Sequence, residues 1–233
     1  MSPGGWGEFA VASVAFAGSH FLPACGELRE GLIRKLGRRS YFVGYGVVSL
    51  LLLGWLIVAA GHAPYVELWP PQPWTRWVPV LVMPLAVFLA VAGIGIGYPF
   101  TLGGRRDAAF DPAHPGFAAL TRHPLLWALT LWSVAHLAPN GDLAHILLFG
   151  GFAIISAAAV PVFDRRAVKA LSRAESVSLF RAAPLLSPML LFAPAWVRKN
   201  ARFLLLRLIL SGVVLGVVVA LHGPLIGVSP FPG

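Results

Sequence analysis

The sequence predicts an all-α, polytopic membrane protein of about six transmembrane helices, with both termini on the outer side. Three observations predict it. Of the 233 residues, 58% are hydrophobic and only 12% are charged, with a mean hydropathy of +0.77. The apolar residues come in long continuous runs, and the basic residues gather in alternate connectors between them. A soluble domain carries about 25% charged residues, and a chain of this length has too little interior to hide so much apolar surface, so lipid is the natural solvent for these side chains. Continuous runs, rather than ten-residue alternation, favour helices over a closed barrel.

A helix needs about 20 mostly apolar residues to cross the hydrocarbon layer. The first candidate, Trp6–Leu22, is short and carries a single formal charge, Glu8. The second, Tyr41–Ala60, contains the run Leu50–Leu53, and the third is Trp77–Tyr98. The fourth, Pro124–Ala138, reaches spanning length when it starts near Phe117, giving 117–138. Leu143–Phe163 is the fifth. Phe203–His222 is the sixth, with Arg207 near its start and free to snorkel. Gly93-Ile94-Gly95-Ile96-Gly97 falls inside the third run and reads as close helix packing rather than a nucleotide loop. Ala183–Trp196 is apolar but broken by three prolines, which predicts an interfacial or re-entrant segment.

Orientation follows from Lys and Arg. The first connector holds Arg29, Arg34, Lys35, Arg38 and Arg39; the third holds Arg105, Arg106 and Arg122; the fifth holds eight, from Arg165 to Arg202. Sixteen basic residues thus fall in odd connectors and one, Arg76, in even ones. Odd connectors are cytoplasmic on this rule, which places the chain in a bacterial inner membrane with both ends outside. Tyr65, Trp69, Trp74 and Trp77 read as an interfacial aromatic belt. The net charge of +9 is explained by this topology and not by nucleic acid, for which no module is present. Cys25 is the single cysteine, which excludes an intrachain disulfide and a Cys-rich metal site. No Lys or Arg precedes Arg29, so the first run reads as a retained helix rather than a signal peptide. Ser-His-Asp order, a Walker loop and HExxH are absent.

The candidates for chemistry are the histidines, because ionisable groups in spans are costly and neutral imidazole is both cheaper to bury and a good haem ligand. The topology puts His20, His114 and His123 toward the cytoplasmic face and His62, His136, His145 and His222 toward the outer face. His123 and His136 lie roughly 20 Å apart along one helix, too far to share an iron. The simplest pairings by depth are His20 with His123, and His136 with His145. The plain alternative is a histidine that bonds between helices or at the interface. Thr121-Arg122-His123-Pro124 opens the fourth helix, with Pro suited to a first turn. Arg122 there can cap carbonyls, anchor headgroups or hold an anionic ligand. Asp164-Arg165-Arg166 ends the fifth helix and reads as a topological anchor.

Taken in order, Ser19-His20 with Leu28-Arg29, Thr121-Arg122-His123-Pro124, Trp132-Ser133-Val134-Ala135-His136, Asn140-Gly141-Asp142 and Asp164-Arg165-Arg166 resemble the NnrU family of bacterial membrane proteins, relatives of the 15-cis-zeta-carotene isomerases. The resemblance implies one helical membrane domain over residues 1–233 and a role linked to nitrite and nitric oxide metabolism in denitrifying bacteria. It implies haem b as cofactor, with His20 and His136 as the metal-binding pair; Arg122 and His123 are further cofactor-binding candidates from their place at the start of the fourth helix. It also implies redox or isomerase-like activity on a hydrophobic small molecule. The depth ordering separates His20 from His136, so both sets of pairings stay open. The Arg-His-Pro piece also resembles the cofactor motif of isoprenylcysteine carboxyl methyltransferases. That implies, as an alternative, an S-adenosylmethionine-dependent membrane methyltransferase; a non-catalytic accessory subunit is the third reading.

Overall fold

The computed structural model describes residues 5–21, 28–105 and 109–232; Cys25 and Arg106 lie outside them. Among the described residues the protein is helical, and its extended pairing is one antiparallel bridge, Glu67 with Asp142. The chain divides into two compact units, residues 1–70 with 141–148, and residues 71–140 with 149–233.

The first unit holds α1 (Gly5–Phe21), α2 (Leu28–Leu36) and α3 (Arg38–His62). α1 and α3 run antiparallel: Gly5 abuts the end of α3, and His20 reaches back to Ser49. A Cβ on Gly5 would stand 2.7 Å from the His62 carbonyl, so the approach needs glycine. Phe9, Ala12, Leu56, Ala59 and Ala60 are buried on these two helices. Gly37, at φ 79°, separates α2 from α3 in a conformation that disfavours other residues. Its N–H closes α2 on the Ile33 carbonyl, and its own carbonyl accepts from Tyr41 to open α3. After α3 the backbone of 66–69 pairs with 141–143 through Leu68 N–H to Gly141 and Leu143 N–H to Val66.

The second unit begins with a 3-10 turn, Pro73–Arg76, leading into α4 (Trp77–Gly93). It continues through α5 (Pro124–Leu137) and the greater part of α6 (Leu143–Ala170), then α7 (Arg173–Ala182) and α8 (Pro194–Ile226). A capping box starts α7: Ser172 accepts from the Glu175 N–H while the Glu175 carboxylate accepts from the Ser172 N–H. Ala92, Ile96, Tyr98, Phe117, Leu120, Ala167, Leu179 and Ala183 form the core of this unit. Arg207 of α8 donates to the Val91 and Ile94 carbonyls at 2.8 and 3.0 Å, satisfying the end of α4.

Several boundaries differ from the sequence reading: α5 starts at Pro124, not near Phe117, after a separate 3-10 turn at Gly116–Ala119, and α6 runs past Phe163 to Ala170. α4 stops at Gly93, not Tyr98. Gly95 turns with φ 77°, its N–H donates to the Gly103 carbonyl, and Arg105 donates to Ile96, so the glycine run folds a loop back on itself. Of that run, Gly93 does serve packing, since a Cβ there would meet Pro124 at 2.9 Å. α8 starts at Pro194 rather than Phe203, and the proline-broken segment before it is an irregular strap with a 3-10 turn, Pro188–Phe192. α2 and α7 are helices that the apolar runs did not announce, because both are short and charged.

Four helices among the described residues are long and apolar enough to cross a membrane: Arg38–His62, Pro73–Gly93, Leu143–Ala170 and Pro194–Ile226. α1 and α5, the other two expected spans, have 17 and 14 residues. At 1.5 Å per residue they reach about 26 and 21 Å, against about 30 Å of hydrocarbon. The long helices turn apolar side chains outward: Leu50, Leu51, Leu205, Leu208 and Ile209 are all exposed. In water such surfaces would be unfavourable, so the arrangement suits a lipid solvent.

Candidate functional site

The polar centre of the second unit is built at the start of α5. Pro124 occupies the first turn, and His123 stands before it with φ −127° and ψ 54°, outside the α region that a following proline disfavours. Asp164 approaches from the last third of α6. The Arg122 guanidinium clasps its carboxylate with two bonds, Nε to Oδ1 at 2.8 Å and a terminal nitrogen to Oδ2 at 2.7 Å. His123 Nε2 lies 2.9 Å from the same Oδ1, and His123 Nδ1 lies 2.9 Å from Thr101 Oγ1. A carboxylate held by arginine only accepts, so Nε2 carries the proton toward it. In the neutral ring Nδ1 then accepts from the Thr101 hydroxyl. The His123 side chain is 0% exposed, that of Arg122 13% and that of Asp164 22%.

The strap between α7 and α8 covers this centre. Arg122 N–H donates to the Pro184 carbonyl, Thr121 Oγ1 to Leu185, and Ser187 N–H to Leu120. The Arg122 guanidinium also lies 5.0 Å over the Phe180 ring. Tyr98 is fully buried with its ring edge-on to His123. Its hydroxyl has no hydrogen-bond partner among the described residues, and burial pushes the phenol well above its ordinary range. As chemistry, the centre is a neutralised ion pair with a histidine and a threonine attached. It ties the loop after α4, the start of α5, the last third of α6 and the strap into one piece.

His20 and His136 are placed elsewhere. His20 belongs to the first unit; its Nδ1 donates to the Phe16 carbonyl at 2.8 Å, and Ser49 Oγ lies 3.1 Å from its Nε2. Its ring touches those of Phe16 and Tyr45. His136, in the last turn of α5, donates from Nδ1 to the Trp132 carbonyl at 2.7 Å. Its ring packs 5.1 Å from Phe149 and 5.6 Å from Trp132. Its Nε2 has no hydrogen-bond partner among the described residues. His123 and His136 sit at opposite ends of α5. Of the remaining histidines, His114 bonds to Asp111, His145 to Asp142 and the Val228 carbonyl accepts from His222, while His62 stands 3.7 Å from Glu8. Among the described residues no group of three or more His, Cys, Asp or Glu side chains is placed to hold a metal ion.

The sequence reading picks out Arg122 and His123, gives Asp164 the role of a topological anchor and passes over Thr101 and Tyr98, the three residues that complete the site. Asp164 carried a usable signal, since it is one of only nine acids and follows a long apolar run. Thr101 and Tyr98 carried none, because Tyr98 looked like the end of a helix and Thr101 like a connector.

The outward apolar faces, the four long helices and the polar centre at one end of α5 and α6 define a helical membrane protein. Within that class the chain belongs to the NnrU protein family, whose profile matches residues 8–230. No curated protein and no solved structure matches it.

Proposed function

We propose that this NnrU-family protein is a haem-binding protein of the bacterial inner membrane that serves nitrite and nitric oxide metabolism. It crosses the bilayer six times with both ends outside, α1 and α5 completing the set of spans. The observation that carries the haem reading is the state of His136. A backbone carbonyl one turn back accepts from Nδ1–H, which in the neutral ring leaves the Nε2 lone pair free on a ring that packs against Trp132 and Phe149. Haem-ligating histidines are oriented by such a bond on the other nitrogen. His20 has the same carbonyl bond one turn back, with only a rotatable serine hydroxyl on Nε2. Each imidazole, taken by itself within its own unit, is thus oriented as a haem ligand would be, and the reading assigns haem ligation to His136 and His20. Bound haem would supply an iron for nitrogen-oxide binding, electron transfer or isomerase-like chemistry. His123 fits less well, because both its ring nitrogens are engaged and it is enclosed. For the same reason Arg122, already clasped by Asp164, offers little to the carboxylate of S-adenosylmethionine.

The test is the absorption spectrum of protein purified in mild detergent after haem-replete expression. A Soret band is expected, changed by His136→Ala and by His20→Ala separately. No band, or a band indifferent to both substitutions, overturns the reading. Tags at Ala63 and Lys169 should report opposite compartments if the proposed topology holds.

A further inference from the structure

We infer that the corner where α2 meets α3 is a binding site for the phosphate headgroup of an anionic phospholipid. The segment 27–39 carries Arg29, Arg34, Lys35, Arg38 and Arg39 against Glu27 and Glu30, a net charge of +3. Topology asks only that cations lie on one side; it does not ask that they converge. Here two of them do. Arg29 from α2 and Arg38 from α3 each place the guanidinium carbon 5.4 Å from the centroid of the same ring, Phe42. The ring attracts each cation, but the two cations repel one another, and no carboxylate among the described residues forms an ion pair with either. An anion at the exposed edge of that ring, within reach of both long side chains, would relieve that repulsion and accept bonds from two forked donors, which suits phosphate oxygens.

The surroundings select a lipid as the source of that phosphate. α2 buries no residue. Leu28, Leu32 and Leu36 recur every fourth position along one line of it, and Leu28 and Leu36 are exposed. A short cationic helix with an unpartnered apolar line lies in the membrane interface, its leucines among acyl chains and its arginines among headgroups. Gly37, at φ 79°, turns α2 off the line of α3, and so lets an interfacial helix precede a spanning one. The apolar run of α3 begins directly beyond Phe42, so a headgroup at Arg29 and Arg38 has its acyl chains beside Val43 and Val47, both exposed. This site does not depend on whether the protein binds haem.

The test uses the full-length protein in an uncharged detergent, titrated with short-chain phosphatidylglycerol, short-chain phosphatidylcholine and inorganic phosphate. Phosphatidylglycerol is expected to bind more tightly than phosphatidylcholine and to weaken as salt is raised. The double variant Arg29→Gln, Arg38→Gln should lose about thirtyfold in affinity, at the usual contribution of each cation near an anionic headgroup. The variant Arg29→Lys, Arg38→Lys, which keeps the charge without the fork, should fall between. Equal affinity of the wild type for the two lipids overturns the proposal and needs no variant. So does phosphatidylglycerol binding that the glutamine variant leaves unchanged. Inorganic phosphate binding as tightly as phosphatidylglycerol overturns the lipid assignment in favour of a free anion.

Discussion

Removing the Asp164 carboxylate should destabilise the second unit through the two groups it leaves behind. Asp164→Ala strips three charge-assisted bonds, two from Arg122 and one from His123. What remains is a guanidinium 13% exposed and an imidazole N–H with no access to water. Breaking one partner of a buried pair costs about 3–5 kcal/mol. Because Asp164 is itself 22% exposed, water recovers part of this, and a loss of about 3 kcal/mol is expected. For a chain of this size that is a fall in Tm of about 6–12 °C. Thermal unfolding in detergent micelles, followed by circular dichroism, measures it. The double-mutant cycle with Arg122→Ala should show a coupling of about 1.5–3 kcal/mol, since the second substitution removes a cation already orphaned by the first. Arg165→Ala, one residue along on the exposed side, should change stability by less than about 0.5 kcal/mol. The reasoning is refuted if Asp164→Ala matches Arg165→Ala, or if the effects of Asp164→Ala and Arg122→Ala simply add.

Other outcomes follow from the same contacts. Tyr98→Phe deletes a buried hydroxyl without a described partner and should be neutral or stabilising by up to about 1 kcal/mol; a clear loss of Tm would show that the hydroxyl is bonded. Gly104→Ala would drive its Cβ into the Tyr98 carbonyl, and Gly141→Ala into the Trp69 carbonyl, so each should cost about 2–3 kcal/mol in the same melt, whereas Gly97→Ala, with open space around it, should cost little. The Ser172 hydroxyl and backbone N–H hold the Glu175 carboxyl below its usual range. A depressed folded-state value means that its contribution to the start of α7 is present above the ordinary carboxylate range and fades as pH falls through the folded value. Protection factors at the first turn of α7, which are corrected for the intrinsic pH dependence of amide exchange, should therefore fall on acidification, and Glu175→Gln should remove that fall.

Membrane character was legible in the chain because a bilayer acts on averages. About 20 apolar residues in a row suffice to favour lipid, whatever they later touch, and basic connectors sort by side without needing partners. Local chemistry was legible where one short segment contains it, as with the proline that opens α5 after His123. The partner of Arg122 was not, since Asp164 lies 42 positions away within another helix. Before the helices pack, Asp164-Arg165-Arg166 is indistinguishable from an anchor. Nor could the sequence choose between two uses of the glycines from 93 to 97. Small size serves a helix seam, positive φ serves a turn, and a glycine permits both. Tertiary structure decided it: at Gly93 the crowding comes from Pro124, and at Gly95 the carbonyl of Gly103 comes round to meet the N–H. Average solvation is a property of the chain, whereas a hydrogen bond between distant residues exists only once folding has brought its two ends together.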